Sequence, residues 1–230
     1  MYRRDLAEIH HRAFGFHADA CAPAILALLE PARGGVILEL SCGSGALTRH
    51  LRAAGHQVVA TDASPAMVDL AGDGARVLVL PDDPLPAADA VVSVGHVLNY
   101  LPDEAAIGRA LAAIAAALRP SGVLALDLLD LSYAEARAGA PPYARVEDGW
   151  ALVTRYESPA PARFLRHITT FVAAGDGSWR RDDERHENVL VDTAGVPALL
   201  AAHGVEATVS AGFGDDRLPD GIVAITGRRR

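Results

Sequence analysis

The pattern of hydrophobic and polar positions divides the chain into two parts of different texture. Before residue 130, short apolar runs alternate with segments whose apolar residues recur at helical spacing. Five strands are predicted there, at VILEL (36–40), QVVAT (57–61), RVLVL (76–80), ADAVVSV (88–94) and VLALDLL (123–129). Strands that alternate with helices at this spacing are typical of βαβ units, and therefore of a parallel sheet with helices on both faces.

After residue 140 the pattern changes to alternating, β-branched and aromatic positions. Three antiparallel strands are predicted, at WALVTRYE (150–157), FLRHITTFV (164–172) and WRRDDERHENVLV (179–191). A helix follows from Thr193 to His203, and VEATVSAGF and DGIVAITG then predict a terminal hairpin. Two further helices are predicted at the N-terminus, over about 6–14 and 19–29.

Composition and charge exclude several classes of function. The 230 residues carry a formal net charge of −8, and all 21 basic residues are Arg. The absence of Lys excludes Schiff-base chemistry and the lysine-dependent phosphate sites of kinases and P-loop proteins. A negative balance also argues against a nucleic-acid partner, which needs a positive surface.

Cysteine and hydropathy patterns indicate a reduced compartment and no membrane segment. The two cysteines, Cys21 and Cys42, fit neither a disulfide framework nor a zinc spacing, and no HExxH occurs, so no metal site is expected. No apolar run is long enough to span a bilayer, and the N-terminal stretch has no signal-peptide core. We therefore expect a cytoplasmic protein.

A glycine turn between the first predicted strand and the next helix carries the clearest chemical signal. In ELSCGSG (39–45), Gly43 and Gly45 let the backbone turn tightly and approach a ligand closely. Asp62 ends the second strand, where an acid can accept hydrogen bonds from a ribose diol. This geometry fits NAD or another adenosine ligand, but Thr48 stands where the dinucleotide fingerprint has its third glycine.

Several motifs in order make the chain resemble the class I S-adenosylmethionine (SAM)-dependent methyltransferases, and among them compact, actinobacterial-type enzymes that act on small molecules. They are VILELSCGSGALTRHL, VVATDASPAMVDLA, ADAVVSVGHVLNYL and LRPSGVLALDLLD. The resemblance implies an α/β, Rossmann-like, doubly wound seven-stranded sheet with a reversed C-terminal hairpin. An antiparallel β insertion would precede the last helix.

A single methyltransferase domain with four parts follows from this resemblance. Residues 1–33 would form an N-terminal helical lid, and 34–130 the SAM-binding core. Residues 140–192 would form the antiparallel insertion on the acceptor side, and 193–227 the last helix and hairpin.

The resemblance also implies which residues surround the methionine and ribose parts of SAM. Asp62 would hold the ribose hydroxyls, and Ala63 and Met67 would pack on the adenine. The methionine part would lie among Glu39, Ser41, Gly43 and Gly45.

Two further groups of residues are implied at the adenine and the sulfonium. Either Asp82 or Asp83, which are adjacent after the third strand, would contact the adenine amino group. Ser93 and Gly95, at the end of the fourth strand, would face the sulfonium.

The loop after the fourth strand favours a small-molecule acceptor over a nucleic acid. It reads GHVLNY (95–100), which is neither the NPPY nor the DPPY signature of the amino-methylating nucleic-acid enzymes, and no Pro-Cys nucleophile is present. If a general base exists, His is the natural choice because its pKa lies near neutrality. Candidate catalytic residues are His96, His186 and Glu184, and candidate acceptor-binding residues are Asn99, Tyr100, Arg155 and His17.

Three functions remain open from the sequence. The favoured one is methyl transfer from SAM to an O or N nucleophile of a small metabolite by in-line displacement. The alternatives are a non-catalytic SAM- or nucleotide-binding regulatory module and an NAD(P)-dependent oxidoreductase, the latter disfavoured by Thr48 and by the terminal hairpin. An exposed edge of the insertion makes a homodimer possible.

Overall fold

The computed structural model of the protein describes residues 2–72, 74–215 and 217–230. Its strands form two sheets. The larger has seven strands in the order β10-β11-β5-β4-β1-β2-β3, and the smaller has four in the order β6-β7-β8-β9. The strands of the larger sheet are β1 (Val36–Leu40), β2 (Gln57–Asp62), β3 (Arg76–Val77), β4 (Ala88–Ser93), β5 (Leu118–Leu129), β10 (Val205–Ser210) and β11 (Ile222–Arg229).

The predicted fold class is confirmed. Strands β1 to β5 pair in parallel, with Leu38 of β1 between Val59 and Val91 of its two neighbours. Strand β11 pairs antiparallel with both β5 and β10, which is the reversed C-terminal hairpin. The third strand is shorter than predicted, because pairing with β2 ends at Val77 and the chain turns away over residues 78–80.

Helices cover both faces of this sheet. Successive side chains of each central strand point to opposite faces, and both sets are mainly apolar and must be buried. Ile37 belongs to a core cluster with Ile25 and Leu51, whereas Leu38 belongs to another with Leu111. The helices are α1 (Arg4–Ala13), α2 (Phe16–Leu29), α3 (Ala46–Ala53), α4 (Pro65–Ala71), α5 (Glu104–Ala117), α6 (Ser132–Glu135) and α7 (Val196–Ala202).

Side-chain caps set the starts of two helices. The Ser64 side chain accepts a hydrogen bond from the Met67 amide at the start of α4, and Pro65 occupies its first position. The Asp103 carboxylate accepts from the Ala106 amide at the start of α5. Both caps hold the connections that follow β2 and β4, which are the connections that approach the site.

The smaller sheet is the antiparallel insertion, with one strand more than predicted. Its strands are β6 (Tyr143–Glu147), β7 (Trp150–Ala160), β8 (Arg163–Ala173) and β9 (Trp179–Val189). Strand β6 was not predicted because YARVE is short and mostly exposed, so it lacks a buried alternation. Helix α1 packs on this sheet through Leu6 and Ile9, which contact a cluster that includes Trp150 and Ile168.

No single helix among the described residues is long and apolar enough to cross a membrane. Only the bent pair Arg4–Ala13 and Phe16–Ala32, which meet at 61°, passes that test by combined length and composition. Ile9 and Ile25 of this pair belong to core clusters of the fold.

Candidate active site

A cavity of about 700 Å³ lies at the carboxyl ends of β1, β2 and β4. One end is formed by the turns that follow β1 and β2. The other end is formed by α1, by the connection after β4 and by the inner face of the antiparallel sheet. The site therefore has two ends built from different parts of the chain, here called the cofactor end and the acceptor end.

The glycine turn shapes the cofactor end. Ser41 and Gly43 line the cavity, both with positive φ (54° each). A Cβ added at Gly43 would meet no atom within 4 Å, so the space beside this backbone is open to a ligand. Gly45 does not line the cavity. A Cβ there would make an ordinary contact with the Ala71 Cα at 3.5 Å, so the position favours glycine because of its left-handed backbone (φ 79°) at the start of α3.

The Asp62 carboxylate joins the two turns of the cofactor end. It accepts hydrogen bonds from the Gly43 amide (3.0 Å) and from the Ser64 amide (2.8 Å). Burial raises the pKa of Asp62, and these hydrogen bonds oppose that shift. Asp62, Ala63 and Met67 all line the cavity. These are the residues to which the family resemblance assigns the ribose and adenine contacts.

Glu39 lies beneath the turn and does not line the cavity. Its carboxylate accepts a hydrogen bond from the Thr48 hydroxyl at 2.6 Å, and burial raises its pKa to about 7. Thr48 is the residue that replaces the third glycine of the dinucleotide fingerprint. Its hydroxyl ties α3 to β1, so the departure from that fingerprint has a structural role here.

The acids predicted for the adenine amino group lie elsewhere. Neither Asp82 nor Asp83 lines the cavity; both are exposed, and the Asp83 carboxylate accepts from the Val79 amide at 2.7 Å. The wall is formed instead by the apolar residues 78–80. The physical reason is that β3 ends at Val77, so the turn brings this apolar segment, and not the two acids, against the cavity.

Asp127, which the sequence analysis missed, organises the end of β4. Its carboxylate accepts hydrogen bonds from the amides of Gly95 and His96 and lies 3.4 Å from Nε2 of His17. Gly95, His96 and His17 line the cavity, whereas Ser93 is buried behind them. The signal that could have found Asp127 is a single acid inside the apolar run VLALDLL.

His96 faces the cavity as a neutral imidazole. It has a left-handed backbone conformation (φ 50°), and its Nδ1 has no hydrogen-bond partner among the described residues. Burial lowers the pKa of His96 to about 3, although the Asp127 charge opposes that shift. The neutral ring can donate or accept a hydrogen bond with a ligand, but its low pKa makes it a weak base at neutral pH.

Tyr100 and Arg166 form the polar wall of the acceptor end. Nη2 of Arg166, on β8, donates a hydrogen bond to the Tyr100 hydroxyl, and both side chains line the cavity. Tyr100 was a predicted acceptor-binding residue. Arg166 was missed, because its strand reads as one of several Arg-bearing β segments, and only the register with β7 shows which face it occupies.

The predicted catalytic pair His186 and Glu184 lies behind this wall. Nδ1 of His186 lies 3.3 Å from the Tyr100 hydroxyl, and its Nε2 lies 2.9 Å from the Glu184 carboxylate. Neither residue lines the cavity, and burial lowers the pKa of His186. The geometry gives the pair a positioning role through Tyr100 and no direct contact with a ligand in the cavity.

Two predicted acceptor-binding residues, Asn99 and Arg155, do not reach the cavity. The Asn99 amide donates to the carbonyls of Leu129 (3.1 Å) and Val189 (2.6 Å), so it joins the two sheets. Arg155 lies on the opposite face of β7 from Thr154 and Tyr156, which line the cavity. The strand alternation that sequence patterns reveal could not say which face is inward.

The N-terminal segment closes the acceptor end. The Ser64 hydroxyl donates to the Tyr2 carbonyl at 2.7 Å, and the Arg180 guanidinium donates to the Asp5 carboxylate through two nitrogens at 2.7 and 2.9 Å. The segment therefore bridges the cofactor end and the insertion. Tyr2, His10, Phe14 and His17 line the cavity.

Comparison with known proteins identifies the family to which this geometry corresponds. A family model described as "Methyltransferase domain" matches residues 9–175, which is more than half of the chain. The predicted enzyme class is thereby confirmed. No curated protein matches the chain significantly.

Solved structures share the fold over nearly the whole chain. A SAM-dependent methyltransferase from Clostridium acetobutylicum is 15% identical, with a TM-score of 0.82 and 97% of each chain covered. DesVI from Streptomyces venezuelae is 19% identical (TM-score 0.78, 100% of each chain). The sugar N-methyltransferase KedS8 from Streptoalloteichus is 22% identical (TM-score 0.77, 100% of this chain and 95% of that one). At such identities the likeness establishes the fold.

Proposed function

We infer the reaction from one premise: this chain belongs to the methyltransferase domain family. We propose that it methylates an oxygen or nitrogen nucleophile of a small metabolite with SAM as cofactor. When bound, SAM supplies a methyl group activated by its sulfonium, and in-line displacement by the acceptor leaves S-adenosylhomocysteine. The observation that carries this proposal is the open backbone at Gly43 beside the Asp62 carboxylate, at one end of a single cavity.

The residues of the cofactor end fit SAM. The Asp62 carboxylate accepts two hydrogen bonds from backbone amides. Because a carboxylate has about four acceptor positions, it can also accept from a ribose diol. Ala63 and Met67 offer an apolar surface for adenine, which residues 78–80 extend. Ser41, Gly43 and Gly95 would then surround the reactive part of the cofactor.

Positioning supplies most of the catalysis in this proposal. Holding a nucleophile in line with a methyl group lowers a barrier by roughly 7–11 kcal/mol, whereas a general base contributes about 3–5 kcal/mol. The pKa of about 3 makes His96 a poor base, and His186 lies outside the cavity. We therefore assign His96 to orienting the acceptor, and Glu184 and His186 to holding Tyr100.

The acceptor is proposed to be a small molecule. A cavity of about 700 Å³ lies within the range of small-molecule pockets, and a net charge of −8 disfavours nucleic acid. KedS8 is by its name a sugar N-methyltransferase, which supports nitrogen as one acceptor atom. The cytoplasmic location and the homodimer stay predictions.

Calorimetric titration with S-adenosylhomocysteine tests the cofactor end. Asp62→Ala should weaken binding at least tenfold, about 1.4 kcal/mol, because a charge-assisted contact is lost. Asp82→Ala is the matched control and should bind as the wild type does. An unchanged affinity in Asp62→Ala, or in Asp62→Asn if the alanine variant does not fold, would remove Asp62 from the site.

A labelled-methyl assay over a panel of amino sugars, phenols and small amines tests the reaction itself. Transfer to one member of the panel is the expected result. Tight SAM binding with no acceptor methylated would favour the regulatory module, and binding of NAD(P) in place of SAM would favour the oxidoreductase.

A further inference from the structure

A guanidinium with a buried Nε and no carboxylate partner among the described residues, that of Arg166, lies in the wall of the acceptor end. The side chain of Arg166 opens onto the cavity, and its one hydrogen bond among the described residues goes to the Tyr100 hydroxyl. No carboxylate of the described chain pairs with it, although the other faces of the same sheet hold several Arg–acid pairs, such as Arg163 with Glu187. A charge placed inside a protein without a partner is unusual, since removing it from water is costly.

Unpaired polar atoms concentrate around the same space. Nε of Arg166, Nδ1 of His10 and Nδ1 of His96 are buried without hydrogen-bond partners in the described structure, and all three side chains line the cavity. Buried polar groups in native proteins are nearly always satisfied, so a cluster of exceptions on one cavity wall indicates a missing ligand group. Arg166 can only donate, so the group that it faces must accept hydrogen bonds.

The carboxylates on the cavity side of the described chain are engaged elsewhere. Glu184, on the same sheet face as Arg166, lies 2.9 Å from Nε2 of His186 and accepts from the Arg3 amide. Asp127 is occupied by the Gly95 and His96 amides and by His17. Asp62 lies at the cofactor end and is held by backbone amides. Besides burial, the Arg166 charge helps to lower the pKa of His10 to about 4, so His10 adds no positive charge beside Arg166 at neutral pH.

We propose that Arg166 binds an anionic oxygen group of the acceptor, a carboxylate or a phosphate, and so selects an acceptor that is negatively charged at neutral pH. The planar fork of a guanidinium suits both groups, and Tyr100 holds it in place. This inference rests on the proposed function. SAM also carries a carboxylate, but Arg166 contacts Tyr100 at the acceptor end and makes no hydrogen bond to the glycine turn.

The test measures binding of small probes to protein saturated with S-adenosylhomocysteine. The probes are benzoate and phenyl phosphate, with neutral benzamide as their counterpart, because the surrounding wall is aromatic. Wild-type protein should bind at least one anion tenfold or more tightly than benzamide, and which anion wins separates carboxylate from phosphate. Arg166→Gln should abolish that preference and change the affinity for S-adenosylhomocysteine less than twofold.

Arg155→Gln is the matched control. Arg155 lies beside β8 in the same sheet but on the other face, so its loss should leave the anion preference intact. Arg166→Met serves as a second variant. Because it removes an unpaired buried charge, its ligand-free melting temperature should equal or exceed that of the wild type, and benzoate should no longer raise it.

Three results would overturn the inference. The first is wild-type protein, loaded with S-adenosylhomocysteine, that shows no preference for either anion. The second is an Arg166→Gln variant that loses affinity for S-adenosylhomocysteine and keeps the anion preference, which would assign Arg166 to the SAM carboxylate. The third is an anion preference that both Arg166 variants retain while their affinity for S-adenosylhomocysteine is unchanged. Wild-type protein that binds no S-adenosylhomocysteine contradicts the proposed function instead.

Discussion

The two ends of the cavity are built in different ways. The cofactor end comes mainly from the turns after β1 and β2, within residues 41–67, with the apolar residues 78–80 beside them, and its polar contacts use backbone amides held by Asp62. The acceptor end brings together side chains from distant segments, with Tyr2 and Arg166 separated by most of the chain. A site made of turns in consecutive βα units is fixed by local sequence, whereas a site made of side chains depends on how separate elements pack.

The two ends also differ in the direction in which burial shifts the pKa values of their ionisable groups. At the cofactor end, burial raises the pKa values of Glu39 and Asp62, so high pH places unfavourable charge there. At the acceptor end, burial lowers the pKa values of His10 and His96, so low pH does the same. Raising the pH should therefore destabilise the cofactor end, and lowering the pH should destabilise the acceptor end.

Asp127→Asn tests the junction between the two ends and should have the largest effect. The carboxylate serves the Gly95 and His96 amides, and the amide replacement loses roughly two charge-assisted bonds, about 4 kcal/mol of unfolding free energy. Urea denaturation measures this loss, and both cofactor and anion binding should weaken. Asp69→Asn, at an exposed acid on α4 with no side-chain hydrogen bond among the described residues, is the control. Equal losses in both variants would deny Asp127 its special role.

Glu39→Gln tests the cofactor end through the pH dependence of the free energy of unfolding. The folded pKa of about 7 lies above the unfolded value of 4.5, so the wild type loses stability as the pH rises from about 4.5 to about 7. The stability of the variant relative to the wild type should increase by about 3 kcal/mol between pH 4 and pH 8. Denaturation curves across this range measure it, with the exposed Glu104→Gln as the control. A flat difference would contradict the burial of the charge.

His10→Phe should show the opposite response at the acceptor end. The folded pKa of about 4 lies below the unfolded value of 6.5, so the wild type loses stability as the pH falls below 6.5. Relative to the wild type, the variant should gain about 2 kcal/mol between pH 8 and pH 5. The same denaturation series measures it, and His11→Phe, an exposed neighbour, should show no such trend. A trend of the same sign as that of Glu39→Gln would break the comparison.

Arg180→Ala should have the smallest effect on stability. It compares the two ends through local amide hydrogen exchange. The Arg180–Asp5 pair holds α1 against the antiparallel sheet, yet Arg180 is half-exposed, so the melting temperature should fall by only about 1–2 °C. Amide hydrogen exchange should become several-fold faster in α1 and remain unchanged in β1 and α3. Faster exchange at the glycine turn would mean that α1 also stabilises the cofactor end.

Most of the fold and the cofactor end could be predicted because their signals are local. Apolar runs predicted the central strands, and ELSCGSG predicted the turn between the first strand and the next helix. The third strand and β6 were harder, because a two-residue pairing and an exposed edge leave little hydrophobic pattern. The positions of Asp82 and Asp83 then followed the shortened strand.

The acceptor end could not be predicted because it depends on sheet faces and on long-range register. Alternation in 150–157 placed Arg155 and Tyr156 on opposite faces but not which face is inward, so Arg155 was chosen wrongly as a wall residue. Arg166 gains its meaning only from its pairing opposite Tyr156 and its contact with Tyr100. Asn99, which looked like a ligand residue, instead joins two strands.

Native mass spectrometry of the freshly purified protein tests the central claim most directly. The account predicts one equivalent of SAM or S-adenosylhomocysteine retained by the wild type and lost in Asp62→Ala, with Asp82→Ala unchanged. A retained mass of NAD(P), or a cofactor complement that does not depend on Asp62, would contradict it.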